Sequence, residues 1–436
     1  MERLVTELDL GLKCGVRRLL WNIGYSTRLD VVLRGTKPTA ATSSRSASAE
    51  PFTDLDVLGV LASNESHIST VIADCKTGRH DRPTARIFWL KGVSAFFCAD
   101  RAMLVREHEV NDAARQLAAK LRITVLASGD LRGMQALHSC ADQPDPVDPL
   151  EVLFDRVAVA QHLKAFSGLD KRLDDLVEYR HFDYWIYEQH RNLTQMVAHL
   201  GDARKILNPK DPTHVALVLD MAWQYILTIV AAVEHIRGAF LGDPDRGLKE
   251  YMFGGIIELR EKEGMAEALR ELAPDGSTQI GVLPAYYSGM RELVARFLRR
   301  PTEIQDALRH VELACGLAVA RKHLTLAGAL GPAYNRVAAK LAADVVGFLI
   351  SAADLNGAFR SEARAYLLAE PVESNDGSRA SVDLDPAVRA GVPLVQPALE
   401  LGEDRPAVTE PPRTEAEVTA RGLGTPGEPE RDDHIQ

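Results

Sequence analysis

The stretch TDLDVLGVLASNESHISTVIADCK, residues 53–76, decides how the N-terminal part of this chain is read. Two apolar runs, LDVLGVL (55–61) and HISTVIAD (67–74), flank the turn-like SNES. Runs rich in β-branched and aliphatic residues on either side of a short polar turn predict an antiparallel hairpin. An acid, Asp56, leads into the first strand, and Asp74-Cys75-Lys76 closes the second, 18 residues further on. Side chains alternate along a strand, so Asp74 and Lys76 share one face while Cys75 takes the other. If the two strands pair, Asp56 near the start of one lies beside Asp74 near the end of its neighbour. Two such carboxylates repel each other without a cation, and they make oxygen ligands for Mg²⁺, which keeps waters and accepts a phosphate oxygen.

Outward from the hairpin, helix and strand patterns alternate. A helical stretch, ERLVTELDLGLKCGVRRLLWNIG (2–24), precedes the strand RLDVVLR (28–34). The Ser-, Ala-, Thr- and Pro-rich segment 36–51 reads as an excursion between strands. Beyond Lys76 come a helix (84–98), a strand (101–107), a helix (111–122) and a strand (123–128). The predicted order is α-β-β-β-α-β-α-β, a mixed sheet flanked by helices over residues 1–135.

From 150 to 370 apolar residues recur three and four apart, as in EIQDALRHVELACGLAVARKHL, which predicts an all-α domain. Asp211-Pro212, Pro301-Thr302 and Gly331-Pro332 punctuate it at helix starts. Residues 371–436 hold 9 of the 22 prolines and no Phe, Trp or Tyr, a composition that predicts a disordered tail. That tail also carries 14 acids against 6 arginines, so most of the net charge of −10 belongs to it. The rest is near neutral, and the overall charge therefore does not exclude a nucleic-acid partner.

Five widely spaced cysteines, at 14, 75, 98, 140 and 315, suggest neither a disulfide framework nor a zinc site. The acidic first residues are unlike a signal peptide, and a cytoplasmic location is expected. Residues 215–233 are long enough to span a bilayer, but Asp220 and Gln224 near their middle favour a buried bundle helix, and no membrane partner is expected.

Asp74-x-Lys76 is the one acid-x-Lys triplet in a chain of 13 lysines, a count at which chance supplies about two, so the triplet alone means little. Its context carries the weight: it ends an apolar strand, an acid-headed strand precedes it, and strand-helix-strand follows. On TDLDVLGV, VIADCKTG and the distal ADRAMLVREHEVNDAARQLAAKLRITVLASGDL, residues 1 to about 135 resemble the PD-(D/E)XK nuclease superfamily, the restriction-endonuclease-like fold, and its Mrr-like branches. The resemblance implies a Mg²⁺-dependent endonuclease, with Mn²⁺ able to substitute, acting on nucleic acid, DNA in preference to RNA, in defence against foreign DNA. It puts Asp56 in the place of the first motif acid, Asp74 in that of the second and Lys76 in that of the motif lysine. Asp56 and Asp74 would hold the metal. No Pro precedes Asp56, and Thr77 stands where several branches carry Gln or Glu.

Asp54, on the same predicted face as Asp56, rivals it for the first acid but adjoins the apolar run less directly. Glu7 is a further candidate ligand, or a residue of a solvated helix face. Arg79, Arg82 and Arg86, with His80 and Lys91, could track a phosphate backbone or merely solvate a helix start. Trp89, Phe96 and Phe97 read as core. The Arg156-x5-His162 and Arg191-x7-His199 spacings, which superficially resemble an HEPN-type ribonuclease pair, are expected by chance. The helical domain is open to a protein partner or a second copy of the chain. The contrasting reading is a catalytically inert nuclease-fold module on a helical scaffold.

Overall fold

The computed structural model describes residues 7–35, 51–78, 82–138, 149–272 and 281–368. Those within Met1–Ser374 belong to one compact unit. The insert, all but Pro51, and the tail over 371–436 lie outside the described residues.

The first elements are α1 (Glu7–Asn22), β1 (Ser26–Arg34), β2 (Pro51–Ala62), β3 (Ile68–Lys76), α2 (Pro83–Phe96), β4 (Arg101–Arg106), α3 (Asp112–Leu121) and β5 (Ile123–Ala127), the expected order. A helix that the pattern did not suggest, α4 (Ser128–Leu137), follows at once. The five strands form one sheet in the order β1-β2-β3-β4-β5. The first three are antiparallel, with Val57 opposite Ala73 and Ala62 opposite Ile68 in the hairpin. β4 and β5 then add in parallel, each after a helical crossover.

Local chemistry sets these boundaries. The hairpin turns between Ser63 and His67, where Ser63 N donates to His67 O at 2.8 Å and Ser66 takes a left-handed φ of 63°. Pro83 stands in the first turn of α2, where its missing N–H costs nothing. The Asn111 side chain accepts from Ala114 N at 2.9 Å and caps α3, which Arg122 ends at a φ of 58°.

The sheet is covered on both faces. Leu12, Val16 and Leu19 of α1 pack on Val57, Val71, Ala73 and Cys75. On the other face Ile87 and Leu90 of α2 and Ala114 of α3 meet Leu58, Ile72 and Leu104, a core that continues into the helical region. Inward from α2 come Ile87, Leu90, Val93 and Ser94, with Phe97 packed on the core behind them. Phe96 falls one position off that stripe. It is 58% exposed, against the core role expected of it, and meets Phe52 edge-on at 5.8 Å. Trp89 is partly buried, as expected of a core residue.

The described residues of 150–272 and 281–368 form helices and the turns between them, with no strand among them. The helices that matter below are α5 (Arg156–Lys164), α6 (Pro212–Ala239), α7 (Ile304–Val319) and α8 (Arg336–Ala352), with a π-helical turn at Tyr179–Asp183. Asp211 caps α6, accepting from Thr213 N at 2.9 Å. By length and composition α6 could cross a membrane, yet 94% of its most apolar window is buried within the protein, chiefly among α7, α8 and their neighbours. Asp220, Gln224 and Thr228 of α6 are buried too.

The sheet and the helices are joined by polar clasps as well as by core. Glu312 of α7 accepts from Arg17 Nη2 at 2.9 Å, Ser26 Oγ at 2.6 Å and Thr27 N at 2.7 Å. Gln305 of α7 takes the Ala62 N–H at 2.7 Å and donates to Gly24 O at 2.6 Å. β1, whose outer edge no other strand of the sheet pairs with, is thereby tied to helices rather than left open.

Candidate active site

Asp56 and Asp74 lie on neighbouring strands at the end where β2 and β3 cease to pair, one step beyond Val57 and Ala73. Both are buried, at 3% exposure each, while Lys76 is about one quarter exposed at its side chain. Lys76 Nζ stands 3.2 Å from Asp56 Oδ2 and 3.1 Å from Asp74 Oδ1, so the two carboxylates converge on one cationic atom. Cys75 has its side chain on the α1 side, as the alternation requires, and donates its backbone N–H to Asp56 Oδ2 at 2.7 Å.

Three further residues complete the cluster. Lys13 of α1 reaches Asp56 Oδ1 at 2.8 Å and Asp30 Oδ1 at 2.5 Å. Asp30 of β1 lies across from Asp56 and has a φ of 52°, rare for a non-glycine residue within a strand. Its effect on the sheet is visible: Leu29 and Val31, two apart, fall in different cores instead of sharing one. Such strain persists where surrounding contacts over-determine it, and it clusters at functional sites. Arg86, four residues into α2, grips Asp74 with both ends of its fork, Nε to Oδ2 and Nη2 to Oδ1, each at 2.5 Å, and its guanidinium lies 3.5 Å over the Trp89 ring.

The site thus sets three carboxyl groups, Asp30, Asp56 and Asp74, against three cations, Lys13, Lys76 and Arg86. Burial works against every charge in it. Lys13 and Lys76 nevertheless keep their protons above the ordinary lysine value, because Asp56 and its neighbouring acids outweigh desolvation. Asp56 is held below the usual carboxylate range: its burial is overcome by Lys13, Lys76 and the Cys75 N–H. Asp30 is the exception, since burial raises it further than Lys13 lowers it.

Asp54 is half-buried in register with Val32, and its carboxylate enters none of these contacts. Glu7 begins α1, but its side chain lies outside the described residues, as do Arg79 and His80. Arg82 is exposed at the N-terminus of α2 and Lys91 is exposed along it. Arg86, expected among the phosphate contacts, is spent on Asp74. Lys13 and Asp30 escaped the sequence reading. Their signal was present: Asp30 is a lone charge inside the apolar RLDVVLR, and Asp9, Lys13 and Arg17 recur every four residues along an apolar helix.

The donor set fits a small hard cation held by two protein carboxylates and otherwise by water. Asp56 and Asp74 already share a cation, the Lys76 ammonium. Among the described residues no group of three or more His, Cys, Asp or Glu gathers as a metal cage. Each oxygen of Asp56 and Asp74 also has a protein donor, so an entering ion must displace a contact from Lys13, Lys76 or Arg86.

No protein-family model, curated protein or solved structure matches this chain.

Proposed function

We propose that this chain is a metal-dependent phosphodiesterase that cuts nucleic acid, DNA in preference to RNA. The observation that carries the reading is the convergence of Asp56 and Asp74 on Lys76 at the open end of the β2–β3 hairpin, in a mixed five-stranded sheet flanked by helices; the resemblance to PD-(D/E)XK nucleases supports it. Asp56 and Asp74 would hold Mg²⁺ or Mn²⁺. When bound, the ion would polarise the scissile phosphate and lower the pKa of a coordinated water. Lys76, on the same face and partly open to solvent, offsets negative charge that grows on the phosphate oxygens. Arg86 fixes the Asp74 carboxylate, and Lys13 keeps Asp56 and Asp30 together. Arg82, exposed at the N-terminus of α2, would meet a phosphate backbone. A role in defence against foreign DNA rests on the family resemblance.

The test is cleavage of plasmid, linear and single-stranded DNA, and of RNA, by the purified chain with Mg²⁺ or Mn²⁺, beside Asp74→Ala and Lys76→Ala. Metal-dependent cutting lost in both variants is the expected result. Cutting that survives both variants, or that ignores chelator, overturns the assignment of the site.

One observation favours a second reading, a nuclease-fold module that binds without cutting: the acid cluster balances its own charge with Lys13, Lys76 and Arg86. On that reading nucleic acid is bound without metal and no substrate is cleaved.

A further inference from the structure

Away from the acid cluster, a cavity of about 180 Å³ opens between β1, α5, the π-helical turn, α6 and α7. At roughly 30 Å³ per water it has room for about six waters, or a small ligand of similar bulk. Its polar lining is one-sided. Arg17, Arg28 and Arg180 face Asp220 and Glu312, which leaves one positive charge over among side chains that are each about a tenth exposed or less. An uncompensated buried charge is costly, and proteins normally pair it.

The three guanidiniums keep much of their donor capacity. Each has five N–H groups. Among the described residues Arg28 donates one hydrogen bond, to Asp220 Oδ2 at 2.8 Å; Arg180 donates one to the same oxygen; Arg17 donates to Thr27 Oγ1 at 3.0 Å and to Glu312 at 2.9 Å. Aromatic rings steady the planes: Arg28 lies 5.4 Å from the Trp223 ring and Arg180 lies 4.4 Å over Phe166.

Two imidazoles add to the lining, His162 from α5 and His181 from the π-helical turn. His162 Nδ1 is buried and has no hydrogen-bond partner. Burial first, and Arg17, Arg180 and Arg28 after it, push His162 down to about 3, while burial and Arg180 do the same to His181. Both are therefore neutral near pH 7, and the excess charge stays with the arginines. Arg180 and His181 both come from the π-helical turn, a rare element that recurs at functional sites. The wide turn is pinned by Gln224 of α6, whose Nε2 donates to Arg180 O at 2.8 Å.

We propose that this cavity binds a phosphate group, free or carried on a small molecule, through the open edges of Arg28, Arg180 and Arg17 with His162 as a further donor. Convergence of several planar donor forks suits an anion with three or four acceptor oxygens better than a two-oxygen carboxylate. The proposal is independent of the nuclease reading, since no residue of the acid cluster lines the cavity.

The experiment is calorimetric titration of the full chain, in chelator, with inorganic phosphate, with AMP and with acetate, for the wild type, Arg180→Gln, His162→Leu and Lys76→Ala. Circular dichroism melts would confirm that each variant is folded. Saturable phosphate or AMP binding, weakened at least about tenfold in Arg180→Gln or His162→Leu and unchanged in Lys76→Ala, is expected. Tighter binding of AMP than of phosphate would identify a carried phosphate, and the reverse the free ion. The proposal is overturned by no saturable binding of either, by acetate binding as tightly, or by loss in Lys76→Ala alone.

Discussion

The acid cluster and the arginine cavity are built from the same chemistry, buried ion pairs on α1 and β1, yet they differ in balance and in access. At the end of the hairpin three acids meet three cations, and Lys76 keeps a quarter of its side chain in solvent. In the cavity three arginines meet two acids, and Arg28 and Asp220 are each about one tenth exposed at the side chain. The first arrangement balances its charges within itself; the second sets one more cation than acid around its walls. The two are also neighbours along the chain. Arg17 stands one helical turn beyond Lys13 on α1, and Arg28 lies two residues before Asp30 on β1.

Breaking the acid cluster should have the largest effect. Lys76→Ala is expected to lower metal-dependent cleavage by about 10³-fold while leaving nucleic-acid binding in place, as removal of one charge stabiliser does elsewhere. Equal loss of binding and cleavage in a filter-binding assay run beside the cleavage assay would give Lys76 a binding role instead.

Next comes Lys13→Met, which leaves Asp30 and Asp56 facing each other without the ammonium between them. Loss of one partner of a buried pair predicts a destabilisation of about 3–5 kcal/mol, read by urea unfolding. Millimolar Mg²⁺ should restore more stability to this variant than it adds to the wild type, because the ion no longer competes with Lys13. Equal response of the two proteins would show that Lys13 does not guard the metal position.

Glu312→Gln tests the clasp beside the cavity. The amide keeps the shape and one acceptor oxygen but loses the charge opposite Arg17, and a loss of about 2 kcal/mol is expected in the same unfolding experiment. It also leaves a second uncompensated arginine, so phosphate should stabilise this variant more than the wild type.

The smallest effect belongs to an exposed pair. His67 Nδ1 lies 2.7 Å from Glu234 of α6, and that bond raises the imidazole pKa. A raised folded value means stability present below the ordinary imidazole pKa and lost as pH rises through the folded one. Solvent screening keeps the contribution small. Melting temperatures of wild type and Glu234→Gln should therefore differ slightly at pH 5.5 and converge by pH 8; a constant offset would remove the pair from the account.

How much of this was legible in the sequence depends on the range over which each feature is decided. Hairpin, crossovers and element order follow from period-two and period-3.6 patterns read over a few residues, so the α/β order and the sharing of one face by Asp74 and Lys76 were available from residues 53–76. The gathering of Lys13 and Asp30 onto Asp56 was not, although each left a trace as a charge within an apolar segment. Their meeting depends on how α1 crosses the sheet and on the left-handed kink at Asp30, neither of which a local pattern specifies. Arg86 shows the same limit: its position after the motif suggested a phosphate contact, and only the placement of α2 against β3 turned it onto Asp74.

By itself the sequence determined the strand and helix order, the hairpin with its Asp56, Asp74 and Lys76, and the burial of α6, because hydrophobic periodicity and strand alternation are properties of neighbouring residues. Only the tertiary structure decided that β1 is clasped by Glu312, 285 residues beyond Thr27, and that Arg17, Arg28 and Arg180 surround one cavity. Those pairings join side chains far apart in sequence, and their partners are chosen by packing geometry and by the need to satisfy each buried charge, not by spacing along the chain.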